Sequence, residues 1–79
     1  MKVRVRLFGL LSRRVSGYDH KAGMTVEVPE GTTCRDVARM LQLSDLEAGL
    51  FSVAGILKGP NDEVHDGDEL SIFMPITGG

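Results

Sequence analysis

Val64-His-Asp-Gly-Asp-Glu-Leu-Ser-Ile-Phe-Met-Pro-Ile-Thr-Gly-Gly79 compresses a turn, a strand and a strand stop into one run. Asp66-Gly67-Asp68 is a turn signal, because glycine reaches positive φ without a Cβ penalty and aspartate bonds to nearby backbone. Leu70, Ile72 and Met74 then share one parity while Ser71 and Phe73 share the other, which is a strand with one face toward a core. Pro75 has no N–H to give to a ladder, so the strand ends there and Ile76-Thr77-Gly78-Gly79 is left over.

The other end of the chain carries the same period. Val3, Val5 and Leu7 alternate with Lys2, Arg4, Arg6 and Phe8, predicting a first strand. Leu10 to Val15 reads as a short helical turn, and Ser16 to Gly23 as a loop. Met24, Val26 and Val28 predict a second strand stopped by Pro29. Thr33 can cap a helix with Asp36 three residues on, and Cys34, Val37, Ala38 and Leu41 fall at i, i+3, i+4 and i+7. That spacing predicts about three turns of amphipathic helix, with Arg35, Arg39 and Gln42 in water. Ser44 to Gly49 adds a turn. Phe51, Val53 and Gly55, followed by Ile56-Leu57, predict a third strand that runs to Lys58-Gly-Pro-Asn61. The order of strands around one helix gives an α+β fold, a mixed sheet of four to five strands covered on one face by one main helix. Residues 1–74 form the domain, and 75–79 a flexible tail.

A chain of 79 residues holds one modest core, since a domain near this size buries only roughly 60–65 % of its unfolded surface. A deep pocket would compete for the same few apolar side chains, so a self-contained enzyme is disfavoured and a partner is expected to supply the catalytic side chains. Net charge is −2, which provides no field to attract nucleic acid or an anionic membrane. There is no apolar run of membrane-spanning length, and a single cysteine excludes an intrachain disulfide. These features fit a soluble, cytoplasmic protein.

The candidate chemistry lies in the tail. Two terminal glycines arise by composition in roughly 2 % of chains this rich in glycine, so their placement after a strand and a proline carries the weight. Without Cβ atoms such a tail fits a narrow tunnel, and five residues reach at most about 16–18 Å. A carboxylate is a poor acyl donor until activated, most simply by adenylation with ATP, after which sulfur transfer would give a thiocarboxylate. The bland alternative is a chain end without a role.

Lys2-Val-Arg-Val-Arg-Leu-Phe8, Gly31-Thr-Thr with the helix after it, Val64-His-Asp-Gly-Asp-Glu-Leu70 and Phe73-Met-Pro-Ile-Thr-Gly-Gly79 together resemble the molybdopterin synthase small-subunit family. That family is related to the thiamine-biosynthesis sulfur carriers and to ubiquitin-like modifiers. The resemblance implies a ubiquitin-like β-grasp fold and a non-catalytic carrier subunit of a sulfurtransferase complex. It further implies that Gly79, presented by Gly78, is adenylated by an E1-like enzyme, thiocarboxylated from a sulfur donor, and inserted into the large synthase subunit for molybdenum cofactor biosynthesis. ATP would be used by the activating enzyme, with no cofactor bound by this chain. Thiamine-type or other sulfur carriage, and isopeptide formation through Gly79, are the alternatives. Val53-Ala54-Gly55 stands where many relatives look like Val-Asn-Gly, so Ala54 departs from the resemblance.

In a β-grasp sheet the first and last strands lie side by side and parallel, so Phe8 and Phe73 are expected together on the uncovered face beside the tail exit. We expect them to form a docking patch with Pro75, Ile76 and Thr77; the alternative is a second small core under the loop 10–23. Cys34 lies on the apolar stripe and reads as a buried residue rather than a reactive thiol. His20 and His65 stand at no ligand spacing, and no metal is expected. The Lys2-Arg4-Arg6 stripe is expected to pair with Glu27 or to be solvated.

Overall fold

Alternating Val3, Val5 and Leu7 do form a strand. In the structure, a computed structural model that describes residues 1–75, β1 (Lys2–Leu7) buries all three, at no more than 5 % exposure. It lies inside a five-stranded sheet whose other members are β2 (Met24–Glu27), β3 (Leu50–Val53), β4 (Ile56–Lys58) and β5 (Glu69–Phe73). The order across the sheet is β2-β1-β5-β3-β4. The β1–β5 pair is parallel and every other pair is antiparallel. A parallel pair needs a long crossover, and the chain between them supplies it with α1 (Cys34–Met40).

Register gathers the apolar side chains on one face: Val5 stands opposite Leu70, and both Leu7 and Phe51 opposite Ile72. Cys34, Val37 and Ala38 of α1 complete that core with Leu11, Leu43 and Val64. Thr33 caps α1 as its sequence indicates, its hydroxyl accepting from the Asp36 N–H at 3.2 Å while the Asp36 carboxylate accepts from the Thr33 N–H at 3.1 Å. The Thr33 backbone N–H chiefly, with the Thr33 hydroxyl beside it, favours the ionised carboxylate and lowers the Asp36 pKa. The next N–H groups find carbonyls in the loop before β5, Cys34 donating to Asp62 and Arg35 to Pro60, each at 2.9 Å.

Two elements differ from expectation. The helix ends after seven residues instead of about three turns. Gln42 takes φ 62°, and the N–H of Leu43 returns to Ala38 O at 3.0 Å while that of Gln42 returns to Arg39 O at 2.9 Å. This closure drives Leu43 to 3 % exposure. Burying a leucine is worth about 1.5–3 kcal/mol, which offsets the roughly 1–2 kcal/mol that a left-handed non-glycine residue costs. The single third strand is two: Ala54 at φ 52° and Gly55 at φ 79° fold it into a hairpin, pairing Val53 with Ile56 and Phe51 with Lys58. Positive φ at both central residues is the tight-turn geometry whose twist matches that of the strands.

The 16–23 loop is anchored despite its lack of period. Leu7 N–H donates to the Tyr18 hydroxyl at 2.9 Å. Val15 and Tyr18 pack against the main core beside the fully buried Leu11, so the apolar residues of this segment build no second core. Among the described residues no helix is long and apolar enough to cross a membrane.

Candidate functional site: the sheet face beside the chain exit

Parity divides the face away from α1 into two halves. Toward the start of β1 it is polar, with Lys2 opposite Glu27 and Arg4 opposite both Thr25 and Glu69. Arg6 pairs with Glu69 at 2.5 Å. The expected partner Glu27 lies out of its reach in register, opposite Lys2, whereas Glu69 is brought in by the parallel strand.

Toward the end of β1 the same face becomes apolar. Phe8 N–H donates to Ile72 O at 3.2 Å, and this parallel step sets the Phe8 ring on that of Phe73, centroids 4.6 Å apart and planes 14° from parallel. Leu50 lies directly opposite Phe73 in the antiparallel register, and Leu57 opposite Ser52 on the same face. Phe8 remains 41 % exposed, Leu50 39 % and Leu57 71 %. Soluble domains rarely leave such side chains adjoining one another without a surface to meet. Beside the pair, Arg6, Leu10, Arg13, Tyr18 and His20 line an open cleft.

Just beyond the patch the ladder stops. Gly49 N–H donates to Phe73 O at 3.2 Å as the last bond between the two strands, and Pro75 offers no N–H to continue it. Pro75 is the last described residue; Ile76, Thr77, Gly78 and Gly79 lie outside the described residues. The sequence reading singled out Phe8 and Phe73 correctly as neighbours, but missed Leu50 and Gly49. Only the β3–β5 register reveals these two, and no local pattern announces it.

Of the remaining candidates, Cys34 lies apart from this face and His20 in the cleft beside it. Cys34 is fully buried in the core, and its burial, with the Asp62 charge adding to it, pushes the thiol up to about 11. A thiol so protonated and enclosed is a packing residue. His20 meets the Tyr18 ring edge-on at 5.3 Å, and His65 stands 3.7 Å from Asp68. Among the described residues no three His, Cys, Asp or Glu side chains converge as metal ligands.

No protein-family model and no curated protein matches the sequence. Solved structures do match in fold. A molybdopterin converting factor subunit 1 from Pyrococcus furiosus superposes with TM-score 0.69 at 23 % identity, over 96 % of this chain and 99 % of that one. SAMP1 from Haloferax volcanii gives 0.68 at 19 %, covering both chains fully. The complex of subunits 1 and 2 of the molybdopterin-converting factor from Helicobacter pylori gives 0.59 at 21 %, again with full coverage of both chains. The fold is the ubiquitin-like β-grasp, as the sequence resemblance implied.

Proposed function

We propose that this chain is a sulfur carrier that delivers sulfur from a thiocarboxylate on Gly79, as the small subunit of a molybdopterin synthase. The observation that carries the reading is the stack of exposed Phe8 on half-buried Phe73 at the end of the parallel central strands, just before the strand stop at Pro75. On this reading the stack serves as a docking surface beside the point where the chain leaves the sheet, and the larger clefts among the described residues are open ones. The Helicobacter pylori converting factor pairs its subunit 1 with a subunit 2, and by analogy we assign a large synthase subunit as one partner here.

On this reading residues 1–74 are the docking domain and 75–79 the arm. An E1-like enzyme grips the patch, and a Gly79 carboxylate oxygen attacks the α-phosphorus of ATP with loss of pyrophosphate. A sulfide equivalent from the sulfur donor then adds to the acyl carbon and expels AMP, leaving the thiocarboxylate. This chain contributes the acyl group and the fit, while the activating enzyme uses the ATP and the partners hold the catalytic side chains. All of this proceeds in the cytoplasm.

Intact-mass spectrometry after incubation with the activating enzyme, ATP and a sulfur source tests it. The expected product gains the mass difference of one sulfur for one oxygen, and deletion of Gly79 abolishes the gain. An unchanged mass overturns the reading. The structural match to SAMP1, a small archaeal modifier protein, supports a second reading in which Gly79 forms isopeptides with lysines. That reading requires higher-mass conjugates in cells that disappear with the same deletion.

A further inference from the structure

We infer that Gly49 is a positioning residue: its missing side chain seats the Pro75 ring and thereby sets the direction in which the last four residues leave the domain. Six glycines of the described chain adopt positive φ, and Gly49 is not among them. Its backbone is one that any residue accepts. What it provides is space. A Cβ at position 49 would stand 2.7 Å from Pro75 Cγ and 2.8 Å from both its Cβ and Cδ, so the ring lies flat across the Gly49 Cα. Real Cβ atoms do not approach carbon so closely.

Of the two surfaces in contact, the Gly49 side is the fixed one. Ala48 before it is buried at 5 % exposure and donates its N–H to Ser44 O at 3.0 Å. Gly49 itself bonds Phe73 O, and Leu50 after it is paired in β3. Pro75 is held less, since it lies past the last strand pair and has no N–H of its own. A side chain at 49 therefore displaces the proline rather than the sheet. The ring is rigid, so the displacement passes to the next peptide as a change of heading. A partner site that takes the chain beyond Pro75 would then receive it from a changed starting point and angle. Misplacement of about 1 Å can cost a reaction 100-fold.

That consequence for chemistry rests on the carrier reading; the change of heading does not. The experiment therefore has two arms, each using Gly49→Ala, Pro75→Gly and the double variant in the full chain. In nitrogen-15 correlation spectra, Gly49→Ala is expected to shift the amides of Met74 and residues 76–79 while leaving those of Val5, Leu70 and Ile72 in place. Unmoved 76–79 amides, or shifts spread through the core, overturn the inference. In ATP-dependent adenylation by the E1-like enzyme, Gly49→Ala is expected to lower kcat at least tenfold with KM within about twofold, because the Phe8–Phe73 stack at the centre of the docking patch stays in place. In the Pro75→Gly background the same substitution should cost nothing further; an equal loss there would mean that Gly49 does not act through the ring and would also overturn the inference. A wild-type chain that is never adenylated, alongside the expected amide shifts, sinks the carrier reading and leaves the positioning role standing.

Discussion

Ala54 holds the β3–β4 turn at φ 52° with a side chain that disfavours it. Ala54→Asn and Ala54→Gly both suit the position better, and each should stabilise the fold by about 0.5–1 kcal/mol, raising Tm by roughly 4–8 °C per kcal/mol for a domain of this size. Urea titration with unchanged slope checks it; a midpoint no higher than that of the parent chain would show that strain is absent. Gln42, at φ 62°, makes the parallel case for Gln42→Gly at the helix end. Both strained residues explain what the sequence concealed. Neither glycine nor asparagine occupies the first turn position or the helix terminus, so the usual punctuation is missing and one strand reads through the turn. Tertiary gain wins at both places, through the buried Leu43 in one and the Phe51–Lys58 and Val53–Ile56 pairings in the other.

At the scale of elements, the segment leading into β3 is held by charge. Glu47 N–H donates to the Ser44 hydroxyl at 3.1 Å, the Ser44 N–H returns to the Glu47 carboxylate at 3.2 Å, and Arg14 from the turn after β1 forks onto that carboxylate. The Arg14 bond chiefly, then the Ser44 N–H, hold the Glu47 carboxyl down at about 2 against an ordinary 4.5. A folded pKa below the unfolded one contributes stability in full above the unfolded value, and that contribution disappears as pH falls through the folded value. Asp19 and Asp36 are lowered too and act in the same direction. Thermal midpoints should therefore fall between about pH 5 and pH 2, and Glu47→Gln should lower the neutral-pH midpoint while flattening that descent. Curves that run parallel for the two proteins would remove Glu47 from the account. None of this was legible beforehand, because Arg14 and Glu47 are far apart in sequence. β1, β2 and β5, the helix start and the Asp66-Gly67-Asp68 turn were legible, because period and capping are local.

For the whole molecule, the decisive geometry is the parallel β1–β5 pair, which sets the first and last strands side by side and stacks Phe8, just past the one, on Phe73 of the other. Alternation placed Phe8 and Phe73 on the uncovered face from sequence, whereas Leu50 joined them only through the β3–β5 register. If this patch docks the partners, Phe73→Asp separates folding from binding. A stack of this kind is worth about 0.5–1.5 kcal/mol beyond the area it buries, against a total of roughly 5–15 kcal/mol for a domain, and β5 keeps its core residues Leu70 and Ile72 fully buried. The variant should thus unfold cooperatively a few degrees below the parent. Loss of a central aromatic, with a carboxylate desolvated in its place, costs an interface at least about 2 kcal/mol. Affinity for the large synthase subunit and for the activating enzyme should then weaken at least thirtyfold, by calorimetric titration. Ser71→Asp, on the same face but nearer the polar half, should weaken binding less. A folded Phe73→Asp chain that binds both partners as the parent does would move the docking surface elsewhere on the domain, and would detach the aromatic pair from the proposed carrier function.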